Sequence, residues 1–350
     1  MRLLSTTIGA YPKPEYIELP DWFGAAAGPD TEAPTEDWAG ALVRMGDEAE
    51  EILARGTREV VDDQISCGID IPSDGEIRRE NYIHYHCRHL NGIDFERLTA
   101  KSLRQGAYSA RLPTITGPLS ARDHFLTHDW KVAQSFTDRP VKITMPGPMT
   151  IADTTANAHY DDPAKLGADL ADALNVEVMA LAEAGCKHIQ IDEPVFARKV
   201  PEALDYGLEN LERAFHGCPD HVVRSMHMCC GYPDALDSPD YPKAPKEAYF
   251  QLAEAVDRSS VMAVSLEDAH RRNDLSLLER FASTTVILGV IAIAKSRVES
   301  IDEVRTHLAE ALEHIDAKRL IAAPDCGLGL LGRELTLAKL RILCAAARSM

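Results

Sequence analysis

The chain has 350 residues, 45% of them hydrophobic, and a formal charge of −18 with a pI near 5.1. That length allows one large domain or two ordinary ones with an ample core, and the acidity argues against nucleic acid or an anionic membrane as a partner. No run of about 18 apolar residues offers a membrane span, and the opening residues Met1–Gly9 are too short and too polar for a signal peptide. The expected compartment is therefore the cytoplasm, where the eight cysteines read as buried thiols or metal ligands rather than disulfides.

Short β-type apolar runs alternate with helical stretches. In chain order, a strand is predicted near 4–9, then a long loop over 12–45 rich in Pro, Gly, Asp and Glu. A second strand is predicted near 69–74, followed by an excursion over 77–135 with a helical part and a hairpin-like run, Ala110–Leu119. Further strands are predicted near 141–145, 188–192, 222–228, 261–266, 285–291 and 319–323. Ala164–Ala184 has apolar residues at helical spacing and stops at Gly185; Pro245–Val256, Leu275–Ala282 and Val304–Ile315 carry the same pattern. Strands alternating with helices in this way predict an α/β fold, a (β/α)8 TIM barrel formed by a single domain over 1–350, with insertions at about 12–45 and 77–135.

The chemistry gathers at strand ends. Met226-His227-Met228-Cys229-Cys230 closes the fifth predicted strand. Alternation along a strand sends His227 and Cys229 to one face and Cys230 to the other, which selects Cys229 as the metal-ligand partner of His227. Glu267 follows the sixth strand and Cys326 the eighth, so in a barrel all four gather at the catalytic end. A mixed nitrogen and sulfur set with a displaceable fourth position suits catalytic Zn2+. Two plainer readings stay open: Cys326 as a small core residue and Glu267 as the partner of a neighbouring Arg. Zinc matters to a thiol because a free thiol, with a pKa of about 8.5, is mostly protonated at pH 7, and coordination removes that proton. Asn81-Tyr82-Ile83-His84-Tyr85-His86-Cys87-Arg88-His89 also invites a metal reading, since His84 and His86 alternate as strand ligands would; substrate contact or packing is the preferred reading.

Several motifs together resemble a known family. Thr6-Thr7-Ile8-Gly9-Ala10-Tyr11-Pro12, Asp74-Gly75-Glu76 with Arg79-Glu80-Asn81, Gly147-Pro148-Met149-Thr150-Ile151, Gln190-Ile191-Asp192-Glu193-Pro194, His227-Met228-Cys229 and Pro324-Asp325-Cys326-Gly327-Leu328 occur in that order. Nearly end to end, the chain resembles the C-terminal catalytic domain of cobalamin-independent methionine synthase, in particular its single-barrel relatives. The resemblance implies a (β/α)8 barrel and zinc held by His227, Cys229, Glu267 and Cys326. It also implies homocysteine held by the backbone of Ile8, Gly9 and Ala10, with its amino group gripped by Glu76 and Asp192. Plainer roles for these two are a salt bridge from Glu76 to Arg78 or Arg79, and loop capping by Asp192 before Pro194.

The expected reaction is methyl transfer to homocysteine, giving methionine, with the zinc-held thiolate as nucleophile and a small-molecule thiol and methyl donor as partners. Two departures from the family pattern concern the donor. Thr154 stands where the family has a Trp that stacks on folate, and Ala294 replaces its acid His, leaving Lys295 as a candidate acid or anion-binding group. Methyltetrahydrofolate and a methylcorrinoid, on a corrinoid protein, are both expected donors. The alternatives are thiol alkylation like that of epoxyalkane:coenzyme M transferases, and a zinc- or thiol-binding accessory protein without turnover. A sulfonate thiol has no amino group for Glu76 and Asp192, which favours homocysteine. The sequence does not specify an oligomeric state.

Overall fold

The computed structural model describes residues 2–23, 32–103, 108–232, 235–238 and 241–350. In chain order its strands are β1 (Leu4–Ser5), β2 (Leu90–Leu103), β3 (Tyr108–Ala121), β4 (Lys142–Pro146), β5 (Ala156–Asn157), β6 (His188–Asp192), β7 (Val223–Met228), β8 (Ala263–Leu266), β9 (Thr285–Ile291) and β10 (Leu320–Pro324). Seven of them form one parallel sheet in the order β1-β10-β9-β8-β7-β6-β4. Strands β4, β6 and β8 are buried at nearly every position, as expected of a parallel sheet covered on both faces.

Side-chain alternation divides the sheet's two faces. Ile143, Ile189, Ile191, Met226, Val264, Val286 and Leu288 belong to the main core with the helices, each adding about 1.5–3 kcal/mol of burial. Ile8, Ala263, Ile287 and Ala323 form a second, smaller apolar cluster. The register on that side matters most. Asp192 of β6 lies opposite His227 of β7, and His227 opposite Ser265 of β8, so three polar side chains stand abreast at the C-terminal ends of adjacent strands.

The helices follow their end signals. Pro163–Ala184 begins with the Asp162 side chain accepting from Ala164 N, and Gly185, at φ 101°, ends it in the left-handed region that glycine tolerates best. Ile301–Ala311 opens on a capping box between Ser300 and Glu303. The pattern over Pro245–Val256 corresponds to a helix at Glu247–Asp257, and that over Leu275–Ala282 to a tighter 3-10 turn, Leu275–Arg280.

Three expectations need correction. The segment near 69–74 is not a regular strand: Ile71 bridges to Thr6 and Ser73 to Lys142, each as an isolated pair. Pro72 between them has no N–H to give to a ladder, although its carbonyl accepts from Lys142 N at 2.8 Å. The continuous sheet therefore has seven strands rather than eight. The stretch 12–45 is not loop throughout, because Glu32–Met45 is helical, with Ala41 buried and Trp38, Leu42 and Met45 packed on the core; residues 24–31 of that predicted loop lie outside the described residues. The predicted hairpin is larger than Ala110–Leu119: β2 and β3 form an antiparallel pair of 14-residue strands with two register shifts, and β5 adds in parallel beside β3.

No helix among the described residues is long and apolar enough to cross a membrane.

Candidate active site

The strand ends open into one cavity. Ile8, Gly9 and Ala10 line it after β1, Glu76 after the Ile71–Ser73 bridges, Asp192 after β6, and His227, Cys229 and Cys326 after β7 and β10. Trp22, Phe23, Tyr82 and Tyr232 form an aromatic wall, with Phe23 and Tyr232 ring centroids 5.1 Å apart. Leu103 and Leu112 of the hairpin also contribute.

At the centre, one nitrogen of His227 and the sulfurs of Cys229 and Cys326 lie within 4.8 Å of one another. His227 Nδ1 is 3.0 Å from Ser265 Oγ and its Nε2 is 3.3 Å from Cys326 Sγ. Ser265 thereby orients the ring so that Nε2 faces the sulfurs, the arrangement expected of an imidazole held for a metal. A hydrogen bond from Cys326 holds the Cys229 thiol well below its ordinary value against the effect of burial, and His227 adds to this. The same hydrogen bond, with burial, pushes Cys326 up. Two thiols and an imidazole are borderline-soft donors converging at a single point, and they fit Zn2+. Among the described residues no other such group of three ligating side chains occurs.

Cys230 turns away, as strand alternation requires. It is buried in the core, and burial pushes its thiol up to about 12.

Glu267 stands outside the three-ligand group. Its Oε1 accepts from Lys243 Nζ at 2.9 Å and its Oε2 faces Cys230 N at 3.4 Å. The residue that pairs with it is therefore a lysine of the loop after β7, not a neighbouring arginine.

Glu76 and Asp192 do face the cavity. Glu76 accepts from Thr144 Oγ1 at 2.7 Å, and Arg79 Nη1 lies 3.5 Å away. Its backbone takes φ 57°, which a non-glycine residue adopts only when its surroundings impose it. Burial raises its carboxyl above the usual range, against the pull of Arg79. Asp192 accepts from Gln190 Nε2 at 2.7 Å, and burial pushes it up to about 7 despite His227. Beneath them lies fully buried Lys142, which donates to Thr7 O and Gln190 Oε1; burial brings it down to about 7. Two buried carboxyls raised in this way gain from a cationic ligand, whose charge would favour their ionised forms.

Gly9 belongs to the same construction, because a Cβ there would lie 2.4 Å from Glu76 Oε1. Asn81 and Trp22 line the cavity, and Asn81 Nδ2 and Trp22 Nε1 are buried with no hydrogen-bond partner among the described residues.

Lys295 is exposed and does not line the cavity. Ala294 N donates to His270 Nε2 at 2.8 Å and Ala294 O accepts from Asp237 N at 2.7 Å; these two bonds pin Ala294 and leave the next side chain in solvent. His84 and His86 lie on the short helix Tyr82–Cys87 rather than on a strand. His84 faces Thr35 Oγ1 at 2.8 Å and Thr154 O at 3.2 Å, which occupies both ring nitrogens.

The sequence reading missed Ser265, Lys243 and the aromatic wall. Ser265 was within reach, since it lies on the strand next to His227. Trp22, Phe23, Tyr232 and Lys243 come from loops that carry no local signal, and Tyr82 from the short helix after Asn81.

The profile of the cobalamin-independent synthase catalytic domain matches residues 29–349. The chain belongs to the cobalamin-independent methionine synthase family. It is an enzyme of the methyltransferase type. Curated relatives include the methionine synthase of Saccharolobus solfataricus, 28% identical over 342 residues that cover 97% of this chain and 92% of that protein. That of Sulfolobus acidocaldarius is 27% identical over 97% of this chain and 89% of its own. A B12-independent methionine synthase from Shewanella sp. W3-18-1, solved in complex with selenomethionine, superposes with a TM-score of 0.86 at 31% identity, over 99% of this chain and 97% of the other.

Proposed function

We propose that the enzyme methylates homocysteine to methionine, using a zinc ion held by His227, Cys229 and Cys326, with Glu267 as a fourth donor on release from Lys243. The observation that carries this reading is the convergence of those three ligands within 4.8 Å on the same cavity as Glu76 and Asp192. When bound, zinc supplies the Lewis acidity that keeps a substrate thiol deprotonated at neutral pH.

The chain's own residues do the rest. Glu76 and Asp192 accept charge-assisted hydrogen bonds from the substrate ammonium and fix the amino-acid end. The backbone of Ile8–Ala10 offers donors for its carboxylate. Trp22, Phe23, Tyr82 and Tyr232 exclude water from the sulfur, which strengthens each of these interactions. The thiolate electron pair forms the new S–C bond while the bond from the methyl group to the donor breaks, its electrons leaving with the donor. Proximity and alignment supply much of the acceleration.

A relative solved with selenomethionine supports an amino acid in this cavity. The carboxylate pair likewise favours homocysteine over a sulfonate thiol, which has no amino group for them. We also read the Ile71 and Ser73 bridges as the eighth position of a closed (β/α)8 barrel, with residues 1–350 acting as one domain.

The test compares Cys229→Ser with Cys230→Ser. The first is expected to lose both bound zinc and thiol methylation, and the second to keep both. Wild-type zinc content and activity in Cys229→Ser would overturn the reading.

A further inference from the structure

The parallel sheet has a second mouth. At the N-terminal ends of its strands, opposite the active cavity, lies a separate cavity of about 560 Å3 that shares no lining residue with the first. Each of the seven strands gives it its first residue. Its size, and its many apolar walls with a few polar groups, are those of a small-molecule site.

Its polarity is arranged by side. Arg2 and Lys318 precede β1 and β10, and Lys142 and His188 open β4 and β6. These strands lie towards the two ends of the sheet order, and the Ile71 and Ser73 bridges join those ends. The four basic side chains are thereby gathered on one side. The other side, from β7 to β9, presents Val223, Ala263 and Ile287. No aspartate or glutamate lines the cavity among the described residues, although the chain carries a net charge of −18.

Part of the basic charge is already used. Arg2 pairs with Asp70, and Lys142 Nζ donates to Thr7 O and Gln190 Oε1. The Lys318 ammonium and the His188 ring have no hydrogen bond or ion pair among the described residues. Ser225 lines the same space at 2% exposure, and its hydroxyl has no partner either. Burial, with the charges of Lys142 and Lys187, brings His188 down to about 4. It is therefore a neutral ring with one N–H to donate, in surroundings whose positive field favours an anion.

We infer that this N-terminal mouth is a second ligand site, for a small carboxylate with a hydrocarbon body. The carboxylate lies on the basic side, where Lys318 and His188 stand unpartnered, and the body packs against Val223, Ala263 and Ile287. Charge-assisted hydrogen bonds hold such an anion more strongly than neutral ones. A bare phosphate would leave the apolar wall uncovered, and a neutral hydrocarbon would leave the basic groups unmet. The site stands at the opposite end of the strands from His227, Cys229 and Cys326, so its occupant is not a reactant, and the inference is independent of the methyl-transfer reading.

The experiment titrates octanoate, octanamide and inorganic phosphate calorimetrically into the full-length enzyme and its Lys318→Glu and Val223→Phe variants. Octanoate is expected to bind the wild type saturably. Octanamide, of the same length without the charge, should bind roughly tenfold or more weakly, and phosphate should show no saturable binding over the same range. Lys318→Glu should weaken octanoate roughly three- to tenfold. Val223→Phe, which fills the cavity, should remove most of the binding. Lys318 is exposed, so its variant decides the matter if Val223→Phe does not fold. No octanoate binding to the wild type overturns the inference, as does octanamide or phosphate binding as tightly as octanoate. Unchanged octanoate affinity in Lys318→Glu, or in a folded Val223→Phe, overturns it too.

Discussion

Asp192→Asn is expected to separate binding from stability. The native carboxyl is fully buried and raised from 3.8 to about 7, so the folded protein holds that proton more tightly than the unfolded chain. The stability this confers is complete below the unfolded value and is lost as pH rises from about 3.8 through about 7. Above that range, ionised Asp192 costs the metal-free fold about 4 kcal/mol by linkage. Asparagine is nearly isosteric, can still accept from Gln190 Nε2, and never ionises. The variant should therefore match the wild type in denaturant titrations at pH 4 and exceed it at pH 8 by up to about 4 kcal/mol. Its binding should move the other way. Loss of one charge-assisted hydrogen bond to an ammonium removes about 1.5–3 kcal/mol, or roughly a 10- to 150-fold rise in Kd. Methionine is the right probe because it has no thiol proton to complicate the titration. Its wild-type affinity should climb about tenfold between pH 6 and 8 as Asp192 ionises, and that climb should flatten in the variant. Calorimetry on metal-free protein reads both effects. If Asp192→Asn binds methionine as the wild type does, or gains no stability at pH 8, the role assigned to this carboxyl is wrong.

Other outcomes follow from the same geometry. Ser265→Ala releases His227 Nδ1 and should weaken zinc binding roughly 10- to 100-fold in a chelator competition, with the fold intact by circular dichroism. Gly9→Ala places a methyl 2.4 Å from Glu76 Oε1; displacement of that carboxylate should raise the Kd for methionine while zinc content stays at the wild-type level. Asp257 accepts from Ala282 N, Ser283 N and Thr284 N. Against the effect of burial, these bonds bring its carboxyl down to about 2. That stability is present above the unfolded value near 3.8 and is lost as pH falls through about 2. After allowance for solvent screening, Asp257→Asn should cost about 1 kcal/mol at pH 7, and unfolding curves at pH 2 should show the difference shrinking.

Much of the sheet was legible because its strands are short apolar runs buried on both faces: 188–192 and 285–291 were predicted with the bounds found in β6 and β9. The reading was poorest where one residue changes backbone hydrogen bonding, as Pro72 does, or where composition hides periodicity, as in Glu32–Met45, whose Trp38, Ala41, Leu42 and Met45 are spaced for a helix inside a Pro- and Gly-rich stretch. At the site, strand parity was enough to place Cys229 rather than Cys230 on the side of His227, because a two-residue period is a property of the backbone. It could not reveal that Lys243 pairs with Glu267, or that Lys295 points into solvent. Those outcomes depend on loop paths, which side-chain periodicity does not encode.

The pairing of β1 with β10 joins Leu4 to Ile321 and Ser5 to Ala322, segments far apart in sequence, and it has a consequence for how the enzyme is made. Synthesis proceeds from the N-terminus, so the segment with Ile8 and Gly9 is made well before the one with Cys326. The β1 edge of the sheet stays unpaired until β10 has been made, and Cys326 follows β10 directly. The group His227, Cys229 and Cys326 is therefore complete only once that edge can close, which ties assembly of the proposed metal site to one of the late steps of folding.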